Sequence, residues 1–150
     1  AQIDCCVNNV PIGLGEPVFD KLQSDLSKAL MSIPAAKGIE FGTGFNAVSM
    51  RGSEHNDLYS NDFHTLTNHS GGIQAGISNG EPINFSMAFK PIPAIMQDQQ
   101  SLNKKGEPAV YIAGGRHDLC VSPRVIPVIE AMTALVLADH LLRFNAYKIH

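Results

Sequence analysis

Ile83-Asn84-Phe85-Ser86-Met87-Ala88-Phe89 alternates large apolar residues with small or polar ones. A period of two, sustained this long, marks a strand with one face in a core and the other outside it. Lys90-Pro91-Ile92-Pro93 stops the pattern, since proline brings no N–H to a ladder. Upstream, Ile73, Ala75 and Ile77 alternate as a short strand, and the pair Asn79-Gly80 is a turn signal. Residues 79–82 therefore read as the hairpin connection into the long strand. Downstream, residues 97–107 are polar, and Val110 and Ile112 suggest one more short strand.

Toward the N-terminus, residues 2–12 read as a strand and Pro11 to Gly15 as a turn. Pro17 suits a first helical position. Phe19, Leu22, Leu26, Ala29, Leu30 and Ile33 then recur at three- and four-residue steps until Pro34 ends the helix. Ile39 and Phe41 suggest a strand ending in Gly42-Thr43-Gly44, with Phe45 to Met50 as its continuation. Residues 51–70 are rich in Asn, Asp, His and Ser and are expected to form a long mobile loop.

The C-terminal part holds a second helix. Ser122-Pro123 offers a cap and first turn, with Pro127 as the alternative start. Residues 125–142 are mostly apolar, interrupted by Glu130, Thr133, Asp139 and His140. That falls short of a clean run of about 20 apolar residues. A helix buried between layers of a soluble protein is expected instead. Hairpin-linked strands beside long helices define the class as α+β, an antiparallel sheet packed on long helices.

The chain has 150 residues, expected as a single domain over 1–150, and a net charge of −3. No basic field advertises nucleic acid or an acidic membrane. Three cysteines, two of them adjacent, read as reduced thiols of a cytosolic protein. No charged-then-apolar leader opens the sequence, and a cytoplasmic location is expected.

Chemistry concentrates in Gly115-Arg116-His117-Asp118-Leu119-Cys120, directly before the apolar helix. Arg116 and Asp118 lie two apart, so in extended backbone they share a side. A guanidinium can grip a carboxylate or phosphate, and a neighbouring carboxylate can exchange protons with a ligand. A local ion pair, with Arg124 as partner, accounts for the same residues equally well. Lys90 beside its turn can hold a phosphate, although Pro91 and Pro93 remove two backbone donors. His117 and Cys120 supply only two metal ligands, where zinc wants three or four, so no metal is expected. Gly42-Thr43-Gly44-Phe45-Asn46-Ala47 fits a dinucleotide fingerprint, but no helix is expected to follow it. A glycine turn is the better account.

Taken together, the motifs resemble the C-terminal part of the chorismate synthase family. The resemblance rests on residues 13–22, 30–40, Arg51-Gly52-Ser53, Asn68-His69-Ser70-Gly71-Gly72-Ile73, Gly76-Ile77-Ser78-Asn79-Gly80, Lys90-Pro91 and the stretch 115–132. It implies half of that family's sandwich of sheets around helices. It also implies an FMN-dependent lyase of the shikimate pathway. The reaction is a 1,4-anti elimination converting 5-enolpyruvylshikimate 3-phosphate to chorismate and phosphate. Reduced FMN is the cofactor, NADPH enters only in bifunctional members, and the family is homotetrameric. A non-catalytic ligand-binding or assembly domain on the same scaffold is the alternative.

By the same resemblance Asp118 is the residue assisting proton transfer, and Arg116 lines the flavin and phosphate site. Lys90, Pro91, Ile92, Pro93 and Ala94 form a flavin-binding turn, while Pro34, Ala35 and Ala75 make backbone contacts to the flavin. The usual turn, Lys-Pro-Thr-Ser-Ser-Ile, here lacks its three hydroxyls. The family's N-terminal histidine motifs, Gly-Glu-Ser-His-Gly and Arg-Pro-Gly-His-Ala-Asp, do not occur. The chain is therefore expected to be a fragment, inactive alone and weak for FMN.

Overall fold

The computed structural model describes residues 1–115, 118 and 120–147. Its centre is the strand that decided the class, β5 (Ile83–Phe89), flanked by β1 (Gln2–Val7) and β2 (Ala36–Phe41) in the order β1-β5-β2. Both pairings are antiparallel. Gln2 faces Ala88 and Val7 faces Ile83 on one side, while Phe41 faces Phe85 and Ala36 faces Phe89 on the other. Ile83, Phe85, Met87 and Phe89 are all buried, as the period-two pattern requires. The rings of Phe41 and Phe85 pack tilted, 5.9 Å between centroids.

One face of this sheet carries two helices. α1 (Leu22–Met31) buries Leu22, Leu26 and Leu30, one residue per turn. The helix does not begin at Pro17. Glu16 donates its N–H to Asp20 O at 3.0 Å in a tight turn, Lys21 is extended, and Leu22 N–H goes to Gly76 O at 2.9 Å. Phe19 consequently lies outside the helix and is 86% exposed. Helical spacing included it because periodicity does not register where hydrogen bonding starts.

The second helix is labelled α3 (Ser122–Ala146), leaving α2 for the short helix Gly52–His55. α3 starts at Ser122 with Pro123 in its first turn, and Pro127 lies inside it. Its buried residues are Val125, Ile129, Thr133 and His140. His140 Nε2 lies 3.0 Å from Asp25 Oδ2, tying α3 to α1. α3 is long and apolar enough to cross a membrane by length and composition alone, yet only 22% of its most apolar window is buried. The expected burial between layers is therefore met on one side only. Leu135, Leu142 and Tyr147 remain exposed.

Four assignments are corrected. Residues 45–50 do not prolong β2, because a 3-10 helix spans Gly44–Ser49. The strand ends at Phe41, and the next residue, Gly42, has φ +56 and no room for a side chain: a Cβ there would run into His69 O. Residues 73–77 form two strands rather than one, β3 (Ile73–Gln74) and β4 (Ile77–Ser78), paired through a turn. The turn residues Ala75 (φ 52) and Gly76 (φ 95) both have positive φ, the mark of a type I′ hairpin. Residues 79–82 join β4 to β5 without pairing them. Finally, the polar residues Asp98–Leu102 form β6, paired with β7 (Pro108–Ile112). Asn103 Oδ1 closes that hairpin by accepting N–H bonds from Lys105 and Glu107.

Residues 51–70 contain α2 and a bridge between Tyr59 and Thr65. Large apolar side chains do not anchor this segment, since Leu58, Tyr59, Phe63 and Leu66 are exposed. Its anchor is Asp57, only 5% exposed. The Asp57 carboxylate accepts bonds from Thr67 Oγ1 (2.7 Å), His69 N (2.8 Å) and Ser70 N (2.9 Å). Burial opposes its charge, but the Ser70, Thr67 and His69 donors outweigh that and hold the carboxyl below its ordinary value.

Candidate functional site

The end of β5 sets the site. After Phe89, the N–H of Lys90 bonds to Ala35 O at 2.9 Å, and Phe89 N–H bonds to Ala1 O at 2.8 Å. These bonds fix the Lys90-Pro91 corner against the starts of β1 and β2. Proline at 91 and 93 then turns the chain off the sheet, and Ile95 N–H closes on Pro93 O at 3.0 Å. From the other side, the segment leading into α3 brings up Asp118, Cys120 and Val121. Together these two segments and Ala1 line a cavity of about 600 Å³. That volume is in the range of small-molecule sites, about 300–1,000 Å³.

Lys90, Pro91, Ile92, Ala94 and Asp118 all face this cavity. Ile95, Met96, Cys120 and Val121 complete the wall; of these only Cys120, in the chemistry-dense stretch before the helix, stood out in the sequence. Pro93 shapes the corner without lining the cavity. Pro34 and Ala35 do not line the cavity; Ala35 O accepts the Lys90 N–H beside it. Ala35 has φ 71, left-handed backbone that a residue with a Cβ adopts at a cost.

Ala75 is elsewhere. Its turn packs on Lys21 and Leu22, by the Ile83 end of β5. Seven strand residues at about 3.3 Å each separate that end from Lys90. The chain does not bring Ala75 to the cavity. Arg116 and His117 lie outside the described residues, so the expected meeting of Arg116 with Asp118 is not described.

Asp118 does have the other partner that the sequence offered. Arg124 Nη2 lies 3.1 Å from Asp118 Oδ1. This carboxylate is thus ion-paired and also lines the cavity. Cys120 Sγ lies 3.2 Å from Ser122 Oγ. The Ser122 hydroxyl and N–H lower that thiol below its ordinary value.

The dinucleotide fingerprint fails on geometry. The Glu40 carboxylate takes the Phe45 N–H at 3.1 Å, where a phosphate would have to sit. Among the described residues, no group of three or more His, Cys, Asp or Glu converges as a metal site.

The cavity's chemistry suits a flat, largely apolar ring bearing an anion. Ile92, Ala94, Ile95, Met96 and Val121 offer apolar contact, and Lys90 offers the positive charge. No hydroxyl lines it among the described residues, so recognition of a polar edge would fall to backbone groups. The donor set of this wall is compatible with a flavin: Lys90 for an anionic group and apolar side chains for a ring.

Comparison with known proteins places this α+β domain in a lyase family. The chorismate synthase family model matches residues 1–142, and the chain belongs to the chorismate synthase family. Chorismate synthase of Christiangramia forsetii is 56% identical over 147 residues, covering 98% of this chain and 42% of that relative. Chorismate synthase of Synechocystis sp. is 55% identical over 148 residues, covering 96% and 41%. A crystal structure of chorismate synthase superposes with TM-score 0.73 at 32% identity, over 95% of this chain and 37% of that one. The chain thus spans about two fifths of the length of the curated relatives it matches.

Proposed function

We propose that this chain supplies one wall of a chorismate synthase active site. The complete enzyme would eliminate phosphate from 5-enolpyruvylshikimate 3-phosphate to give chorismate. In this reading it is a cytosolic homotetramer that requires reduced FMN, with NADPH used only if the enzyme reduces its own flavin. The observation that carries the proposal is the convergence of Lys90 and Asp118, 28 residues apart in sequence, on one cavity.

Each wall has a part in that chemistry. Lys90 attracts the anionic group and fixes which way the ligand enters. The apolar residues Ile92, Ile95, Met96 and Val121 exclude water and hold the ring flat, which strengthens every charge interaction inside. Asp118, as carboxylate, is placed to accept a proton from the bound ligand and to return it. The wall of Lys90 and apolar side chains would hold reduced flavin, which would supply electron density for loss of the allylic phosphate. The residues that would position the remaining substrate groups belong to the length of the family that this chain does not span.

Titration of FMN with the chain, followed by flavin fluorescence, tests this reading. Saturable quenching is expected, weakened by Lys90→Ala and by Asp118→Asn. Quenching indifferent to both substitutions would overturn it. No chorismate is expected from the chain alone, and its formation by the purified 150-residue protein would contradict the partial-site reading.

A further inference from the structure

Resting on the flavin-site reading only for its ligand arm, we infer that Arg124 is a positioning residue that fixes the Asp118 carboxylate at the cavity wall. Asp118 belongs to the segment between β7 and α3, and a loop side chain is free to change rotamer unless something outside the loop holds it. Arg124 comes from a rigid element. It is the third residue of α3, its N–H bonded to Val121 O at 3.1 Å, and its neighbour Val125 is buried in the core. The contact is Nη2 to Oδ1 at 3.1 Å.

The placement of Arg124 has no explanation within its own helix. The first turn of a helix favours acidic side chains because unpaired N–H groups point out of it. α3 has no acidic residue in its first turn, and Arg124 stands there instead. A cation at that position is accounted for by a carboxylate just ahead of the helix. Arg124 is not among the cavity-lining residues, and its side chain is 77% exposed. It therefore reaches Asp118 from outside the cavity. The guanidinium takes one oxygen; a carboxylate has about four lone-pair sites, which leaves capacity for a proton of the ligand.

An exposed ion pair of this kind shifts a population modestly, by about two- to fivefold. The expected effect is orientational rather than a change in folding. Three-bond couplings to Asp118 Cγ, measured by NMR on the isotope-labelled chain, read the side-chain rotamer directly. One dominant rotamer is expected in the unmodified chain. Arg124→Ala should average the couplings, and Arg124→Lys should restore them in part, because a point charge lacks the planar fork. Helix content and thermal midpoint should not move. FMN affinity should fall about two- to fivefold in Arg124→Ala, with no additional loss when Asp118→Asn is already present.

Couplings already averaged in the unmodified chain, or unchanged in Arg124→Ala, would overturn the inference. Couplings that respond as expected in a chain that shows no FMN binding would support it and would count against the flavin reading alone.

Discussion

Replacing Asp57 isolates the polar anchor of residues 51–70. Asp57→Ala removes the acceptor for one hydroxyl and two backbone N–H groups, all within 2.9 Å. The Thr67 hydroxyl can rotate to another acceptor. The N–H groups of His69 and Ser70 cannot, because the chain around them is fixed: Thr43 N–H bonds to His69 O at 2.9 Å, and Gly71 N–H to Asn68 O at 3.2 Å. Orphaning a buried donor costs about 1–3 kcal/mol. Two orphans, relieved in part by entering water, give about 2–4 kcal/mol for opening this segment. At about 1.4 kcal/mol per tenfold, the His69 and Ser70 amides should exchange about 30- to 700-fold faster. Asp57→Asn keeps one acceptor oxygen and should show about half that free-energy effect. Native-state hydrogen exchange measures both. Unchanged exchange at these two amides in Asp57→Ala would refute the reasoning. The pH dependence follows the same logic. The folded carboxyl titrates below its unfolded value, so its contribution is complete above pH of about 3.9 and is lost as pH falls through the depressed folded value.

Leu26→Ala should lower stability by about 2–5 kcal/mol, read by thermal or urea unfolding, since Leu26 of α1 is fully buried in the hydrophobic core. A loss below 1 kcal/mol would contradict that packing. Gly42→Ala should be more disruptive than its size suggests, because the new Cβ meets the His69 carbonyl; loss of the β2–β5 pairing at Phe41 in amide exchange would register it. Cys120 should be alkylated faster than Cys5 near neutral pH, with Ser122→Ala slowing it. The Ser122 donors lower the Cys120 thiol, whereas burial, Cys6 and Glu130 raise that of Cys5. Peptide mapping after brief iodoacetamide treatment gives the order, and equal rates would refute it.

The sheet was legible in the sequence wherever one face is dry. Ile83–Phe89 could be placed to the residue because every second side chain is buried. Leu22, Leu26 and Leu30 were legible for the same reason. β6 was not, since both of its faces are open to water and its residues carry no alternation. Pairing with β7, a non-local fact, makes it a strand. The turn at Ala75-Gly76 was hidden because Ile73 and Ile77 keep period two across a reversal of direction. At the site, Lys90 and Asp118 could be named from motifs, but nothing local in the sequence places them in one cavity. Arg124 as partner of Asp118 could be named from charge and nearness. Asp57 left no mark, because two of its three donors are backbone N–H groups that nearly every residue possesses.

One further consequence follows from β5 being the middle strand. The ligand corner hangs from its last residue, and the knot around Gly42, His69 and Asp57 hangs near its first. A single residue inserted into Ile83–Phe89 would turn its oily side toward water and drag both ends out of alignment together. The cavity corner and the fold therefore share one point of failure, and a lineage that lengthened this strand would have to rebuild both at the same moment.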